Sequence, residues 1–378
     1  MKLSVVLTHA CNLACSYCYT GEKKAVRMAP ETAFAALDWG LARSRADGWL
    51  WLGFFGGEPL VEWELLARLA ERARELAARQ GLELVLQCTT NGTLLDPERV
   101  ARLHALGVRL ALSLDGTAEH HDLARRTAGG GASHGDVLRA LELLVAARRP
   151  FEVVTVVTPA TAGMVSQSLR YLFDRGVERV TLNTHWGGAW TDAELDTYRR
   201  EWEVAAAVFV AWMRRGRAVS LEPLDSALVG VARGRRGPVE RCLAGTSSVA
   251  VAPSGRLYGC ARSVGEDDGR LAIGDLERGI VPALAARAAG SAAAPDECRG
   301  CAAAERCDRH CACACLEETG DAGTPGPVLC FQQHVLEDLA RRVWQTLVRE
   351  RCPAFLERFG GELEARAPEP APEREAAR

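Results

Sequence analysis

The sequence predicts an α/β fold, a partial (β/α)6 barrel with a second, cysteine-rich region after it. Between residue 1 and about residue 220, short β-rich runs alternate six times with longer helical patterns. From about residue 240 the chain changes to loops rich in Gly, Pro and Cys. Alternating strands and helices predict a parallel sheet with its functional groups at the carboxyl ends of the strands. Eight repeats would close a TIM barrel, so six predict an open, TIM-like partial barrel.

Each strand of the predicted barrel is a short apolar or β-branched run. The strand candidates are Leu3–Leu7, Leu50–Phe55, Leu82–Thr89, Val108–Leu114, Phe151–Val157 and Val177–Asn183. Helical patterns fill the gaps, and Pro30 suits a helix start because a proline in the first turn loses no needed donor. The helix candidates are Pro30–Arg45, Glu62–Arg79, Asp96–Leu106, Gly135–Arg148, Gly163–Arg175 and a longer one at Asp192–Arg215.

Composition limits the classes of function. The chain has 378 residues, 48% hydrophobic and 25% charged, with a net charge of −3, which is typical of a globular protein and disfavours nucleic acid as a partner. No signal peptide or apolar run long enough to span a membrane is present in the sequence, so we expect a cytoplasmic protein without a membrane partner. We expect a barrel over 1–220, a cysteine-rich domain over 221–335, one helix over 336–361 and a disordered tail over 362–378.

The fourteen cysteines are segregated along the chain. Three lie near the amino terminus, a large group lies between residues 242 and 330, and the barrel between them contains only Cys88. In a reducing compartment, cysteines at short fixed spacings indicate metal or cluster ligation more often than disulfides. The distribution therefore predicts two cluster-binding regions separated by a scaffold.

The first group is a Cys-x3-Cys-x2-Cys loop formed by Cys11, Cys15 and Cys18, directly after the first strand. Three thiolates can bind three irons of a [4Fe–4S] cluster, which leaves the fourth iron open to a substrate or cofactor. Tyr17 could pack its ring against a flat heterocycle. A zinc site completed by His9 or a remote residue is the alternative.

This loop resembles the signature of the radical S-adenosylmethionine (radical SAM) enzymes, and the resemblance extends over residues 3 to 190. It implies that the open iron chelates S-adenosylmethionine, whose reductive cleavage yields a 5′-deoxyadenosyl radical. Further segments match in order, and the resemblance implies cofactor contacts for them: Gly56, Gly57, Glu58 and Pro59 at the methionine amino group, Ser113 and Asp115 at the ribose, and Arg125 near the carboxylate. The Thr90-Asn91-Gly92-Thr93 segment follows the third strand and by itself indicates only a turn.

The second cysteine group is similar to the seven-cysteine pattern of the SPASM domain, which carries auxiliary iron–sulfur clusters. It reads Cys242-x12-Gly255-x4-Cys260, then Cys298-x2-Cys301-x5-Cys307-x3-Cys311, then Cys330. The resemblance implies a distal cluster on Cys298, Cys301, Cys307 and Cys330, and a proximal cluster on Cys242, Cys260 and Cys311. Zinc knuckles are the alternative reading of this region.

The proximal set has three members, so its fourth ligand is open at this stage. Two extra cysteines, Cys313 and Cys315, follow Cys311 at alternate positions. If the run is extended, Cys311 and Cys315 point one way and Cys313 the other. Either extra thiol could complete the cluster, both could be spare, or the fourth position could accept substrate.

The resemblance implies a maturase that modifies a ribosomally synthesised peptide, through crosslink or thioether formation. The alternative is an anaerobic sulfatase maturase that makes formylglycine. Those enzymes have an Asp directly after the second SPASM cysteine as a base, whereas Ala261 follows Cys260 here. A hypothesis of another class is a non-catalytic iron–sulfur electron-transfer or zinc-binding protein. No catalytic base is assigned from the sequence.

The expected cofactors are S-adenosylmethionine and [4Fe–4S] clusters, one that binds it and two auxiliary. The expected partners are a peptide substrate with a leader and a flavodoxin or ferredoxin as reductant. The chain begins almost at its first strand, so we expect leader recognition by a separate protein or by the barrel itself.

Overall fold

The computed structural model describes residues 1–234, 242–290, 295–304, 306–307 and 311–364. Within these ranges, eleven strands form a single sheet in the order β11-β10-β9-β8-β1-β2-β3-β4-β5-β6-β7. The strands are β1 Lys2–Val6, β2 Trp49–Phe55, β3 Glu83–Thr90, β4 Val108–Ser113, β5 Phe151–Val157, β6 Arg179–Thr184, β7 Ser220–Glu222, β8 Ser248–Val251, β9 Arg256–Tyr258, β10 Ala272–Asp275 and β11 Gly279–Ile280.

Strands β1 to β7 are parallel, and β8 pairs parallel with β1 on the opposite side from β2. The last four strands then continue the sheet as antiparallel pairs. In the register of β1 and β2, Val6 lies beside Phe55, so the loops that follow both strands leave from the same edge. The α/β fold with a parallel, TIM-like partial barrel is thereby confirmed.

Helices cover the sheet between the strands. The α-helices are α1 Pro30–Ser44, α2 Trp63–Gln80, α3 Pro97–Ala105, α4 Ala118–Ala124, α5 His134–Ala146, α6 Val165–Asp174, α7 Asp192–Arg214, α8 Leu224–Arg233, α9 Pro282–Ala289, α10 Ala312–Thr319, α11 Pro327–Arg349 and α12 Pro353–Glu364. One continuous core contains the buried side chains of Leu3, Leu52 and Phe54 from the sheet and of Leu37 and Leu66 from the helices. No described helix has the length and apolar character needed to cross a membrane.

The cysteine-rich region is joined to the barrel sheet more closely than the sequence analysis expects. Strand β7 lies across the expected boundary at 220–221 and pairs with β6. Val249 and Val251 of β8 and Leu257 of β9 are fully buried in the main core. The region therefore has apolar anchors of its own in the barrel core. The division into domains remains a prediction.

The carboxy-terminal part differs from the expected single helix over 336–361. Helix α11 begins earlier, at Pro327, and ends at Arg349. Arg351 has a left-handed φ of +51° and Pro353 begins α12, so the chain turns between two helices. Helix α12 extends to Glu364, three residues into the expected tail over 362–378. The rest of that tail, 365–378, lies outside the described residues.

Candidate active site

The three cysteines of the first group lie in one loop between β1 and α1. Cys11, Cys15 and Cys18 are each half-buried, and the N–H of Cys18 donates to the carbonyl of Cys15 at 3.2 Å. The loop is fastened to the segment after α4, because the N–H of Ala14 donates to the carbonyl of Arg126 at 2.8 Å. The structure therefore places all three thiols at the carboxyl edge of the sheet.

Lys23 is a candidate functional residue that the sequence analysis missed. Its Nζ lies 2.8 Å from the Sγ of Cys18 and also donates to the hydroxyl of Thr20. Burial opposes ionisation of Cys18, but the Lys23 ammonium and the hydrogen bonds of Thr20 together hold the pKa of this thiol below its usual value. For Cys11 burial dominates and raises the pKa to about 11. No spacing in the sequence predicts this ammonium–thiol contact, which brings a positive charge to one side of the loop.

The Gly56-Gly57 pair lies directly beneath the cysteine loop. The N–H of Gly57 donates to the carbonyl of Thr8 at 2.8 Å. A Cβ on Gly56 would lie 2.4 Å from that carbonyl oxygen, and a Cβ on Gly57 would lie 2.2 Å from the carbonyl oxygen of Ala10. Both distances are far shorter than van der Waals contact, so only glycine lets the two segments approach this closely.

The Glu58 carboxylate joins the end of β2 to the end of β3. It is 1% exposed and accepts hydrogen bonds from the hydroxyl of Thr90 and the N–H of Asn91, both at 2.7 Å. The N–H of Leu60 donates to it at 3.0 Å, and Pro59 begins the short 3-10 helix that Glu58 caps. Burial raises the pKa of Glu58, although these donors act in the opposite direction. The carboxylate is thus occupied by protein groups.

The turn after β3 contacts the cysteine loop through a side chain. The Nδ2 of Asn91 lies 3.8 Å from the Sγ of Cys11 and donates to the Oδ1 of Asn12 at 2.9 Å. Asn12 in turn donates to the hydroxyl of Thr93 at 2.7 Å. This segment, which the sequence alone indicates only as a turn, therefore orients the loop around the first cysteine.

Asp115, after β4, is the centre of a buried polar cluster. Its carboxylate is fully buried and accepts from the hydroxyl of Tyr17 and from the Nε of Arg125 at 2.9 Å. The N–H of Val156 donates to it at 2.8 Å, and the Arg125 guanidinium lies 5.3 Å from the centre of the Tyr17 ring. Burial opposes ionisation of Asp115, but the charge and hydrogen bond of Arg125 act together with His120 and His121 and lower the pKa of the carboxyl. Asp115 thus fixes Tyr17 between the second and third cysteines.

His121 supports this cluster from behind. Its Nδ1 accepts from the N–H of Asp115 at 3.3 Å, and its Nε2 lies 3.0 Å from the Ser133 hydroxyl. That hydroxyl donates to the carbonyl of Arg125 at 2.6 Å. Burial, followed by the charge of Arg125, lowers the pKa of His121 to about 4. The ring is therefore neutral at neutral pH and holds the backbone on both sides of the ion pair.

The predicted cofactor-binding residues thus gather at one edge of the sheet, with different exposures. Ser113 and Tyr17 are half-buried there. Glu58 and Asp115 have enclosed carboxylates, which favours a positioning role for them over direct contact with a cofactor. Cofactor contact by each of these residues remains a prediction.

His185 and Trp186, just past β6, lie at the opening of the same site, next to Tyr17. We call this opening, between Tyr17, His185 and Trp186, the mouth. The ring of His185 is 6.3 Å from that of Tyr17 between centroids. Burial lowers the pKa of His185, and the charges of Glu317 and Arg262 act on it from the cysteine-rich region. Trp186 packs against residues of α10 and α11. The mouth is therefore lined by both parts of the chain.

The run of alternate cysteines after residue 310 is not extended. Cys311 caps the amino terminus of α10, and Cys313 and Cys315 lie within that helix. The expectation that Cys311 and Cys315 point opposite to Cys313 along an extended strand is therefore replaced by helical geometry, with about 100° per residue. Alternating Cys and Ala have too little contrast in polarity to indicate a helix in the sequence.

Cys260 and Cys313 lie close enough for each thiol to act on the other. A hydrogen bond from the Cys313 thiol lowers the pKa of Cys260 to about 6, and the same bond raises the pKa of Cys313. The hydroxyl of Ser263 lies 3.4 Å from the Cys313 sulfur. Cys311 is near enough for its charge to act on Cys313. The structure therefore gathers two of the three predicted proximal ligands and one extra thiol.

Of the predicted distal ligands, Cys298 and Cys301 lie near Cys330, in the first turn of α11. The charges of Cys298 and Cys301 both act on Cys330, and Cys307 is half-buried. The Nε2 of His334, one helical turn after Cys330, lies 3.8 Å from the Cys301 sulfur. His334 is not among the residues predicted from the sequence, although its four-residue spacing from Cys330 on a helix is the signal that could have indicated it.

One ion pair and one cation–π contact hold the cysteine-rich region against the loop that contains Cys11, Cys15 and Cys18. Lys24 pairs with Glu266 at 2.6 Å. Arg262 binds both carboxylate oxygens of Glu317 at 2.7 and 2.8 Å, and its guanidinium lies 5.9 Å from the ring centre of Tyr19, next to Cys18. The two cysteine groups therefore converge on one mouth.

Comparison with protein families identifies the first part of the chain. The Radical SAM superfamily matches residues 5–172, which include the cysteine loop and the buried cluster around Asp115. Residues 5–172 form a radical SAM domain. Its cofactors are a [4Fe–4S] cluster and S-adenosylmethionine.

A relative with an assigned activity matches less than half of the chain. The cysteine-type anaerobic sulfatase-maturating enzyme of Clostridium perfringens is 31% identical over 171 residues, which are 44% of this chain and 46% of that enzyme. The chain spans about half the length of the curated relatives that it matches, between 46% and 61% for the first of them. The activity of the whole protein is therefore a matter for proposal.

Solved structures share the fold beyond the radical SAM domain. Native anSMEcpe with bound AdoMet has a TM-score of 0.77 and 21% identity, and the match covers 93% of this chain and 99% of that one. Streptococcus suis SuiB bound to precursor peptide SuiA has a TM-score of 0.60 and 14% identity, with 87% and 75% covered. At these identities the likeness shows the fold alone.

The donor set fits an iron–sulfur cluster in the radical SAM domain. Cys11, Cys15 and Cys18 are soft thiolate ligands within one loop, and such ligands suit iron–sulfur clusters. Among the described residues, no three Cys, His, Asp or Glu side chains converge closely enough to hold a single metal ion. A cubane is larger than a single ion and holds its thiolates further apart. Thiols that are too far apart for one metal ion are therefore compatible with a cluster.

Proposed function

We propose that the chain is a radical SAM/SPASM maturase that modifies a ribosomally synthesised peptide, with crosslink or thioether formation as the reaction. The observation that carries the proposal is the convergence of both cysteine groups on one mouth, where Glu266 pairs with Lys24 and Arg262 lies over the ring of Tyr19, next to Cys18. A peptide that enters there would meet the radical SAM site and the auxiliary clusters together. The shared fold with SuiB, solved with a precursor peptide, supports this class of substrate.

Each part of the site has a defined task in this proposal. The bound cluster and S-adenosylmethionine supply a 5′-deoxyadenosyl radical, which takes a hydrogen atom from the substrate. Cys11, Cys15 and Cys18 would hold the cluster, and Glu58 and Asp115 keep its loop in place from below. His185, at the mouth and kept neutral by burial, is positioned to accept a proton from a bound peptide.

The same proposal gives roles to the auxiliary cysteines and to partners. Cys298, Cys301, Cys307 and Cys330 would hold the distal cluster, and Cys242, Cys260 and Cys311 the proximal one. A flavodoxin or ferredoxin would supply electrons, and a leader segment of the peptide would bind the barrel or a separate recognition protein.

A sulfatase-maturase activity is the second candidate, favoured by the relative from Clostridium perfringens and the fold of anSMEcpe. The acids near Ala261 argue against it, because each is engaged elsewhere. Glu266 pairs with Lys24, Asp268 pairs with Arg270, and Asp267 accepts hydrogen bonds from Ser254 and Tyr258. None of these carboxylates is available at the position after Cys260.

Co-expression with each short reading frame that flanks the gene tests the proposal. Loss of one pair of hydrogen atoms from an encoded peptide, detected by mass spectrometry, is the expected result. Conversion of a Cys or Ser in a sulfatase-derived peptide to formylglycine, with the flanking peptides unchanged, would instead establish the second candidate. The Cys15→Ala variant is the control that should leave every peptide unmodified.

A further inference from the structure

Helix α10 presents two of its side chains to the 3-10 helix Ala261–Val264, and both make polar contacts there. The sulfur of Cys313 lies 3.4 Å from the hydroxyl of Ser263, whose N–H donates to the carbonyl of Cys260 at 3.0 Å. Glu317, one turn later, binds Arg262 through both carboxylate oxygens. Residues four apart lie on one helix face. The two contacts therefore run side by side and fix the face of α10 that carries Cys313 towards Cys260.

Cys315 lies on a different face of the same helix. It is two residues from Cys313, which rotates its side chain by about 200° around the axis. It is fully buried and packs with Ala314 and Leu329, and the partly buried side chains of Trp186 and Cys311 pack against this cluster. An iron on that side would have to displace an apolar cluster, so Cys315 is poorly placed to share a cluster with Cys260.

The segments that carry the other proximal cysteines lie near Cys313. Cys311 acts electrostatically on Cys313 and on Arg262. A Cβ on Gly259, just before Cys260, would be 3.2 Å from the Cβ of Ala244, which brings the chain two residues after Cys242 next to Cys260. The segment after Cys242 therefore adjoins Cys260, and Cys311 and Cys313 lie near the turn that follows Cys260.

We propose that Cys313 is the fourth ligand of the proximal auxiliary cluster, so that this cluster is closed and does not bind the substrate. Cys315 is a buried packing residue. The inference rests on the auxiliary clusters of the proposed function, and it excludes direct capture of a substrate thiol by an open iron of this cluster. A closed cluster needs four protein ligands, which this set supplies.

The test uses the full chain with Cys11, Cys15 and Cys18 all changed to Ala, so that only auxiliary clusters are reconstituted. Cyanide is the probe, since it binds an open iron and changes the electron paramagnetic resonance of the reduced cluster. We expect no cyanide effect in this background or after C315S. After C313S we expect a cyanide-dependent spectrum, or the loss of about four irons per chain.

A second variant, Cys313→Asp, guards against misfolding, because a carboxylate can still ligate iron. We expect it to retain iron and resist cyanide, with a changed spectrum. A cyanide effect in the background itself, or one produced by C315S and not by C313S, would overturn the inference. A background that binds no iron at all would overturn the auxiliary clusters of the proposed function as well.

Discussion

The backbone N–H of Asn91 donates to the Glu58 carboxylate at 2.7 Å and so ties the end of β3 to the end of β2. The same asparagine reaches Cys11 with its side-chain amide. Glu58, which the resemblance associates with the cofactor, thus also supports the cysteine loop through Asn91.

Replacement of Glu58 by Gln should weaken S-adenosylmethionine binding about 10- to 100-fold. An amide cannot accept from all three donors, and an unpaired buried polar group costs roughly 1–3 kcal/mol. Equilibrium dialysis of the reconstituted protein measures the effect. The control is Glu64→Gln, an exposed position on α2, and equal affinities for the two variants would contradict the assigned role.

Gly57→Ala should prevent formation of the first cluster. The added Cβ meets the Ala10 carbonyl oxygen at 2.2 Å and must displace the cysteine loop. Iron analysis after reconstitution should show a loss of about a third of the total, which is one of three cubanes. Gly135→Ala, where a Cβ would contact nothing within 4 Å, should retain all the iron. Full iron content in Gly57→Ala would show that the loop tolerates the shift.

Asp115→Asn should lower the free energy of unfolding by roughly 3 kcal/mol, because it leaves the buried Arg125 without its counter-charge. Urea unfolding of the cluster-free protein, followed by circular dichroism, measures this. Asp136→Asn breaks the exposed pair with Arg139 and should cost less than about 1 kcal/mol. If the two variants are equally stable, the Asp115–Arg125 pair does not organise the site.

His121 should make stability depend on pH. Its pKa is about 4 in the folded protein, against 6.5 as the usual value. Between these values the unfolded chain binds a proton that the folded protein does not. This contribution is therefore complete above pH 6.5 and is lost as the pH falls towards 4, by roughly 2–3 kcal/mol. Urea unfolding of wild type and His121→Gln between pH 7.5 and 4.5 should show the smaller pH dependence in the variant. If the free energy of unfolding depends on pH equally in both proteins, His121 does not make stability depend on pH.

The barrel strands could be predicted because buried parallel strands are nearly continuous apolar runs, as in Trp49–Phe55. Strands β8 and β9 have four and three residues, too short for any period to appear. Their attachment beside β1 depends on long-range pairing, which composition does not reveal.

The residues of the site also divide into those that a local pattern predicts and those that depend on long-range contacts. Cys11, Cys15 and Cys18 were recognisable because their spacing is local. The Lys23 ammonium beside Cys18 depends on how the loop folds back, and the Cys260–Cys313 contact joins segments more than fifty residues apart. Neither can be read from spacing, since both arise only when the chain is folded.

The most direct test of the account is the release of 5′-deoxyadenosine by the anaerobically reconstituted, reduced protein in the presence of S-adenosylmethionine. The account predicts release by the wild type, none by Cys15→Ala, and partial release by Cys298→Ala, which leaves the first cluster intact. A fully loaded wild-type protein that releases no 5′-deoxyadenosine would contradict the central claim.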